Sequence, residues 1–426
     1  GKWCLKERQF IDTPIASITY TNKKNIFPTS SADMQGSVVV LPGLYDSHIH
    51  GAGGHDFSEG TTTAYIQITE TLGKNGVAYC AATFVSMEWK RLISALETLD
   101  DFLIAPQVAG AAKIVAVHLE GPFIAKSCKG AHDEQVLQNE ISLSRFLELV
   151  AAAPGVRNWK ITLAPDLPGA LEFIEQTRNL QVKEVPIAVH VFIGHSNANY
   201  ATVQQAVDRG IAGFTHLGNA NGETVHRKKD CRSFLKAESD VVRFALDHSI
   251  PAEVIADGLH LSNEFVAFVQ SHTPVMLVSD ALSPTMMPDG EYELASLKVL
   301  KQEKRIVLKD QQEKLAGGSS LLPDLLVNFN KIVAQSCKSN EERLNALYQA
   351  VIVNPRQSSL RNAELDDENN FVILDKSTGE LLFSCCHGIV IQHRALTVPE
   401  KKIGFLAQSG AENAIESENS LCMKVG

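Results

Sequence analysis

A chain of 426 residues with 44% hydrophobic and 21% charged residues has an ordinary globular composition, long enough to bury one large core and a smaller one. Its formal net charge of −10 argues against a general nucleic-acid or anionic-membrane binder, which needs a basic face, but leaves room for a locally basic pocket and a small anionic ligand. The eight cysteines include no CxxC pair, and their sparse use fits a reducing compartment. The opening segment GKWCLKERQF lacks the apolar core of a signal peptide and no apolar run is long enough to span a bilayer, so the expectation is a cytoplasmic protein.

From Gly1 to about Gly36 the chain is polar, with short β-prone patches. From Ser37 onward, β-branched apolar runs alternate with longer amphipathic stretches. The runs are VVVLPGLYDSHIH (38–50), VAYCAATF (77–84), KIVAVHLEG (113–121), WKITLAP (159–165), PIAVHVFIGHS (186–196), AGFTHLGN (212–219), AEVIADGLH (252–260) and VMLVSDA (275–281). Helices are predicted between them, for example over 64–75, 143–152 and 200–209. Continuous apolar strands separated by helices specify a parallel sheet buried on both faces. Eight such units are the number that closes a (β/α)8 TIM barrel. Past the eighth run, 322–335 and 341–351 predict helices, and residues 362–395 turn β-like again. The expected architecture is α/β: a barrel of residues 43–361, a small β-sandwich domain built from both chain ends (1–42 and 362–398), and a polar, mobile tail (399–426).

In a (β/α)8 enzyme the site lies at the C-terminal ends of the strands. Here those ends carry His48, His50, Glu120, His195, His216, His260 and Asp280, a set of polar groups that is costly to bury unless a strong ligand is shared. His48 and His50 are two apart, so on a strand both imidazoles face one side. Imidazoles with carboxylates suit zinc or another first-row divalent ion. Glu120 could cap the turn that follows it or bridge two ions. A carbamylated lysine is the other bridge used in such barrels, but Lys160, the lysine of the fourth run, is expected at the wrong end of its strand. His118 and His190 lie deeper and are read as core or supporting residues. Asp280 could cap a helix or, beside a metal-activated water, take a proton and later deliver it to a leaving amine.

The motifs PGLYDSHIHG (42–51), HLEGPF (118–123), KGAH (129–132), TLAPD (162–166), GHSNA (194–198), THLGNA (215–220), ADGLH (256–260), VSDA (278–281), PDGEYEL (288–294) and LAGGSS (315–320) together resemble the N-acetylglucosamine-6-phosphate deacetylase family of the amidohydrolase superfamily, in family order. The resemblance implies that one or two divalent ions, zinc first and iron, manganese or cobalt as other candidates, sit on His48, His50, Glu120, His195, His216 and Asp280, with Asp280 the catalytic base and acid. It implies that His132 and His260 bind the substrate, that Asn219 and Ala220 contact the sugar phosphate through the backbone, and that His226 and Arg227 are the pair whose arginine grips the phosphate across a homodimer. The activity implied is hydrolysis of an N-acetylated amino-sugar phosphate. Action on another amide, and a non-catalytic sugar-phosphate binder, are the alternatives. The chain departs from the family at Gly218, where an aromatic is usual, at Asn221, where methionine is usual, and at Lys228-Lys229-Asp230, which replace Glu-Pro-Gly.

Overall fold

The computed structural model describes residues 38–221, 239–295, 297–361 and 363–393 with their side chains. Outside them only the backbone of six short strands near the chain ends is described. The tail expected from residue 399 therefore lies outside the described residues, apart from two such strands.

Eight parallel strands follow one another around a single sheet in sequence order. They are β1 (Leu44–Ile49), β2 (Val77–Val85), β3 (Lys113–Glu120), β4 (Asn158–Leu163), β5 (Ala188–Ile193), β6 (Gly213–Phe214), β7 (Ala252–Val254) and β8 (Val275–Leu277). The ring closes because Asp280 N donates to His48 O and His50 N to Ala281 O, both at 2.9 Å. Each strand leads to a helix: α1 (Thr62–Lys74), α2 (Trp89–Ile104), α3 (Leu143–Ala152), α4 (Ala170–Thr177), α5 (Tyr200–Arg209), α6 (Asp240–His248), α7 (Asn263–His272) and α8 (Leu322–Val333). The strands are apolar on both faces because the barrel lumen covers one and the helices the other. All nine residues of β2 are buried. Between sheet and helices, Phe146 of α3 packs edge-on to Trp159 of β4 and to Phe173 of α4 at 5.4 and 5.5 Å. The side chains of Thr61, Ser142, Asn199, Ser239 and Ser262 cap α1, α3, α5, α6 and α7, each contributing about 1 kcal/mol.

Between β8 and α8 lies an antiparallel meander: β9 (Gly290–Leu294), β10 (Leu297–Gln302), β11 (Arg305–Leu308) and β12 (Gln311–Gly317). Its apolar side, Leu294, Val299 and Ile306, packs on Val85 at the end of β2 and on Leu282, which seats it over the C-terminal mouth of the barrel. The sequence reading does not contain this sheet.

The first apolar run divides at Gly43. The strand Val38–Pro42 pairs antiparallel with β13 (Phe371–Asp375), which continues through β14 (Leu381–Cys386) to β15 (Ile389–Gln392). A Cβ at Gly43 would stand 2.7 Å from Ala78 Cβ and 2.9 Å from Asn370 Cβ, so only glycine lets the chain pass from the small sheet into the barrel there. Val38–Pro42, ahead of the barrel, and strands within 371–392, behind it, thus build one small antiparallel sheet. No described helix is long and apolar enough to cross a membrane.

Candidate metal centre

The strand ends deliver their polar residues to one point. His48 and His50, at alternate positions of β1 and just past it, are buried together. Glu120 is the last residue of β3. His195, His216 and Asp280 lie just beyond β5, β6 and β8, with φ of 48°, 25° and 48°. That left-handed backbone is strained for a non-glycine residue, by about 1–3 kcal/mol each, and persists where the surroundings over-determine it. The flanking Gly194 shows how close the strands come: a Cβ there would be 2.7 Å from Thr215 Cβ and 2.8 Å from Thr162 Cγ2.

Glu120 is the hub. Its Oε1 lies 2.7 Å from His216 Nε2, 3.0 Å from His195 Nε2 and 3.5 Å from His48 Nε2. Its Oε2 lies 2.9 Å from His50 Nε2 and 3.4 Å from His132 Nε2. Asp280 Oδ1 is 3.3 Å from His50 Nε2 and 3.5 Å from His48 Nε2. Five imidazoles therefore turn Nε2 inward. Three of them are held from behind by pure acceptors: His48 Nδ1 by Glu253 Oε2 (3.2 Å), His195 Nδ1 by Cys128 O (2.8 Å) and His216 Nδ1 by Asn219 O (3.2 Å). Only a protonated Nδ1 makes such a bond, which leaves Nε2 as the nitrogen that turns to the centre and can offer its lone pair to an ion once any proton there is displaced. His48 Nε2 is buried and makes no hydrogen bond among the described residues.

The donor set fits a divalent ion. Ligand atoms of His48, His50, Glu120 and Asp280 lie within 4.8 Å of one another, as do those of Glu120, His132 and His195, and imidazole with carboxylate is the chemistry of first-row transition metals. Electrostatics agree. Burial opposes charge on every group, yet His48, with hydrogen bonds from His132, His195 and His216, holds Glu120 well below the usual carboxylate range. Against the same burial, His50 and His48 lower Asp280. The carboxylates in turn push His48 up to about 10 and His50 up to about 9. At His132 burial wins over Glu120, and its pKa falls to about 4. Two fixed negative charges thus demand positive charge at the centre, as protons or as metal.

Above this floor opens a cleft of ≈ 450 Å³ lined by His132, Asn219, Ala220 and His260 among others, with a wall from the meander that includes Gln311 and Lys314. His260 Nδ1 is bonded to Asp257 Oδ2 at 2.7 Å, while Asp257 Oδ1 accepts from the backbone N–H of Leu259 and His260. Burial disfavours charge on His260, but Asp257 outweighs it and raises the imidazole pKa. Burial, and the neighbouring Lys129 charge, lower the pKa of the Lys314 ammonium. At Gly218, φ is 90° and a Cβ would meet Phe265 Cε1 at 2.6 Å. Phe265 and Leu261 fill the space that a side chain at 218 would enter.

Eight of the sequence-derived residues that carry side-chain roles (His48, His50, Glu120, His132, His195, His216, His260 and Asp280) and the backbone pair Asn219 and Ala220 thus surround one centre and its cleft. His226 and Arg227 lie outside the described residues, as do Lys228, Lys229 and Asp230. His118 sits between Thr83 and Thr162 hydroxyls at 3.2 and 2.8 Å and His190 is buried, both in keeping with core roles. The sequence reading missed the meander wall, Asp257 as the partner of His260, and Glu253 with Lys160 behind His48. A charged residue inside each of two short apolar strands was the available signal.

No family model matches the chain. It is 30% identical over 290 residues to N-acetylglucosamine-6-phosphate deacetylase of Vibrio furnissii, 67% of each protein, and 26% identical over 353 residues to that of Bos taurus, 80% of this chain and 81% of the relative. A solved structure of a substituted N-acetyl-D-glucosamine-6-phosphate deacetylase from Mycobacterium smegmatis, in complex with N-acetyl-D-glucosamine-6-phosphate, superposes with a TM-score of 0.68 at 25% identity, covering 82% of this chain and 86% of that one. Kinship of that degree over two thirds of both sequences, on a shared barrel, makes this chain a member of the N-acetylglucosamine-6-phosphate deacetylase family of amidohydrolases.

Proposed function

We propose that the protein hydrolyses the acetamide of N-acetylglucosamine 6-phosphate to glucosamine 6-phosphate and acetate, as a metal-dependent cytoplasmic homodimer. The observation that carries this reading is the convergence of five imidazole Nε2 atoms on Glu120 with Asp280 beside them. On this reading residues 43–361 are the catalytic barrel, and residues 1–42 with 362–398 the small β-domain. His48, His50, Glu120, His195, His216 and Asp280 would hold one or two divalent ions, zinc first and iron, manganese or cobalt otherwise. A bound ion polarises the acetyl carbonyl and lowers the pKa of water.

The rest falls to the chain's own side chains. Asp280, kept ionised by His50 and His48 despite its burial, takes the proton of the attacking water and returns it to the amine nitrogen as the C–N bond breaks. His260, whose proton affinity Asp257 raises against burial, donates to the developing oxyanion. His132 and the backbone of Asn219 and Ala220 orient the sugar. The anionic end of the substrate is favoured by Lys314 in the cleft wall, by Lys129 of the adjoining pocket and by Arg227, supplied by the second subunit.

The test is acetate release over a panel: N-acetylglucosamine and N-acetylgalactosamine 6-phosphates, the unphosphorylated sugars and N-acyl amino acids, with metal content measured on the same protein. The proposal expects turnover of the phosphorylated acetylglucosamine above the rest, lost on chelation. Preference for another amide, or activity indifferent to chelator, overturns it.

A further inference from the structure

Beneath the metal centre the barrel holds a charged pair for which the deacetylation chemistry has no use. Lys160 of β4 and Glu253 of β7 are both wholly buried. They meet across the lumen, with β5 and β6 between their strands. Lys160 Nζ donates to Glu253 Oε1 and, at 3.2 Å, to Ser47 O, while Ser47 Oγ donates to the same Oε1 at 3.2 Å. The strand register sets Lys160 level with His118, two residues below Glu120, so the ammonium is one layer beneath the ligands. Neither residue lines the cleft. Apolar residues of similar volume would fill this space without the desolvation penalty that two buried charges carry.

What the pair does is visible at its remaining oxygen. Glu253 Oε2 accepts the Nδ1–H of His48 at 3.2 Å, while Oε1 is held by Lys160 and Ser47. The companion imidazole, His50, has no partner at Nδ1 among the described residues. We propose that Glu253, fixed by Lys160 and Ser47, is a positioning residue that sets the tautomer and ring orientation of His48 and so governs the ion affinity of the His48–His50–Glu120–Asp280 set. This rests on the metal-centre part of the proposed function but not on which amide is cleaved. A carboxylate behind a ligating imidazole makes its far nitrogen a better donor, and removing such a partner weakens metal binding by about 10- to 100-fold.

The experiment titrates the full chain, stripped of metal, with cobalt(II) against a chromogenic chelator while the visible cobalt spectrum is recorded. Glu253→Gln is expected to weaken cobalt binding by about 10- to 100-fold and to shift the ligand-field bands, with Glu253→Asp restoring part of the affinity. Because a lone Lys160 can unfold the single variant, a second protein combines Lys160→Met with Glu253→Leu. That protein keeps an apolar interior and removes the acceptor of His48 Nδ1 outright, where glutamine removes only its charge, so a loss at least as large is expected. Wild-type affinity with an unaltered spectrum in either folded variant overturns the proposal, and a wild-type chain that takes up no cobalt overturns it together with the metal-centre reading. Cobalt binding that depends on Glu253 in a protein that deacetylates none of the panel upholds this inference while the proposed reaction falls.

Discussion

Gly318 offers the sharpest test of how finely Asp280 must be placed. It lies between β12 and α8, and its N–H donates to Asp280 O at 2.7 Å, while its own carbonyl accepts from Leu282 N at 3.2 Å. A Cβ at 318 would stand 2.1 Å from Ser279 O and 3.2 Å from Asp280 O. Real Cβ atoms essentially never come within 3.0 Å of such a neighbour, so Gly318→Ala must separate the two backbones by 3.0 − 2.1 = 0.9 Å at least. Neither side yields freely, because Asp280 N is bonded to His48 O and Thr285 Oγ1 to Gly318 O. Catalytic groups tolerate about 0.5 Å of misplacement, and about 1 Å costs on the order of 10²-fold in rate, which is about 2.7 kcal/mol of barrier at 1.36 kcal/mol per decade. Overpacking itself destabilises by about 1–3 kcal/mol, little enough for the variant to stay folded. Steady-state acetate release, with a thermal melt alongside, should therefore show kcat down by roughly 10²-fold and KM changed far less. Gly388→Ala is the control. Its φ is 85° but none of the described residues lies within 4 Å of the new Cβ, so it should affect the melt and not kcat. A folded Gly318→Ala protein with wild-type kcat would refute the reasoning.

Three further outcomes are expected. Asp280→Asn should retain metal but lose about 10²- to 10⁴-fold in kcat, and near-normal turnover would remove Asp280 from its role. His48 and His50, pushed up to about 10 and about 9 against burial by Glu120, Glu253 and Asp280, are protonated at neutral pH without metal. Ion uptake must displace those protons and weaken as pH falls, and the metal-free fold must lose their stabilisation as pH rises through about 9 to 10. Calorimetry in buffers of differing ionisation enthalpy reads the proton release, and identical heats in all of them would contradict it. Asp257→Asn deprives His260 of the charge that holds its pKa up against burial. The alkaline limb of kcat/KM should move to lower pH, and an unmoved limb would show that the His260 proton is not used.

Much of this architecture was readable because local and global signals agreed. Helices α3 and α5 match their expected limits, since Ser142 and Asn199 are true caps and Gly210 ends α5 in left-handed backbone. The ligand set was readable from period two at His48 and His50 and from one polar residue closing each apolar run. The meander was not, because β9 sets exposed Glu291 and Glu293 beside half-buried Gly290 and Tyr292 and β10 buries a lysine, Lys301, among its apolar residues, so neither segment reads as an apolar run. Lys160 and Glu253 each stand out as a charge inside an apolar run, but their pairing was not legible: which strands face each other across a lumen is decided by closure, and nothing local in either run announces the partner.

The ring of strands is stitched shut between β8 and β1, and the stitches are the backbones of His48, His50, Asp280 and Ala281. Side chains of three of these residues belong to the cluster that could hold a metal ion. A cation held there fastens the last stave of the cask to the first, so its binding energy counts toward closure as well as chemistry. Chelation should accordingly be felt first as faster amide hydrogen exchange at His50 and Asp280, along the one joint of the cylinder that sequence-adjacent strands do not make.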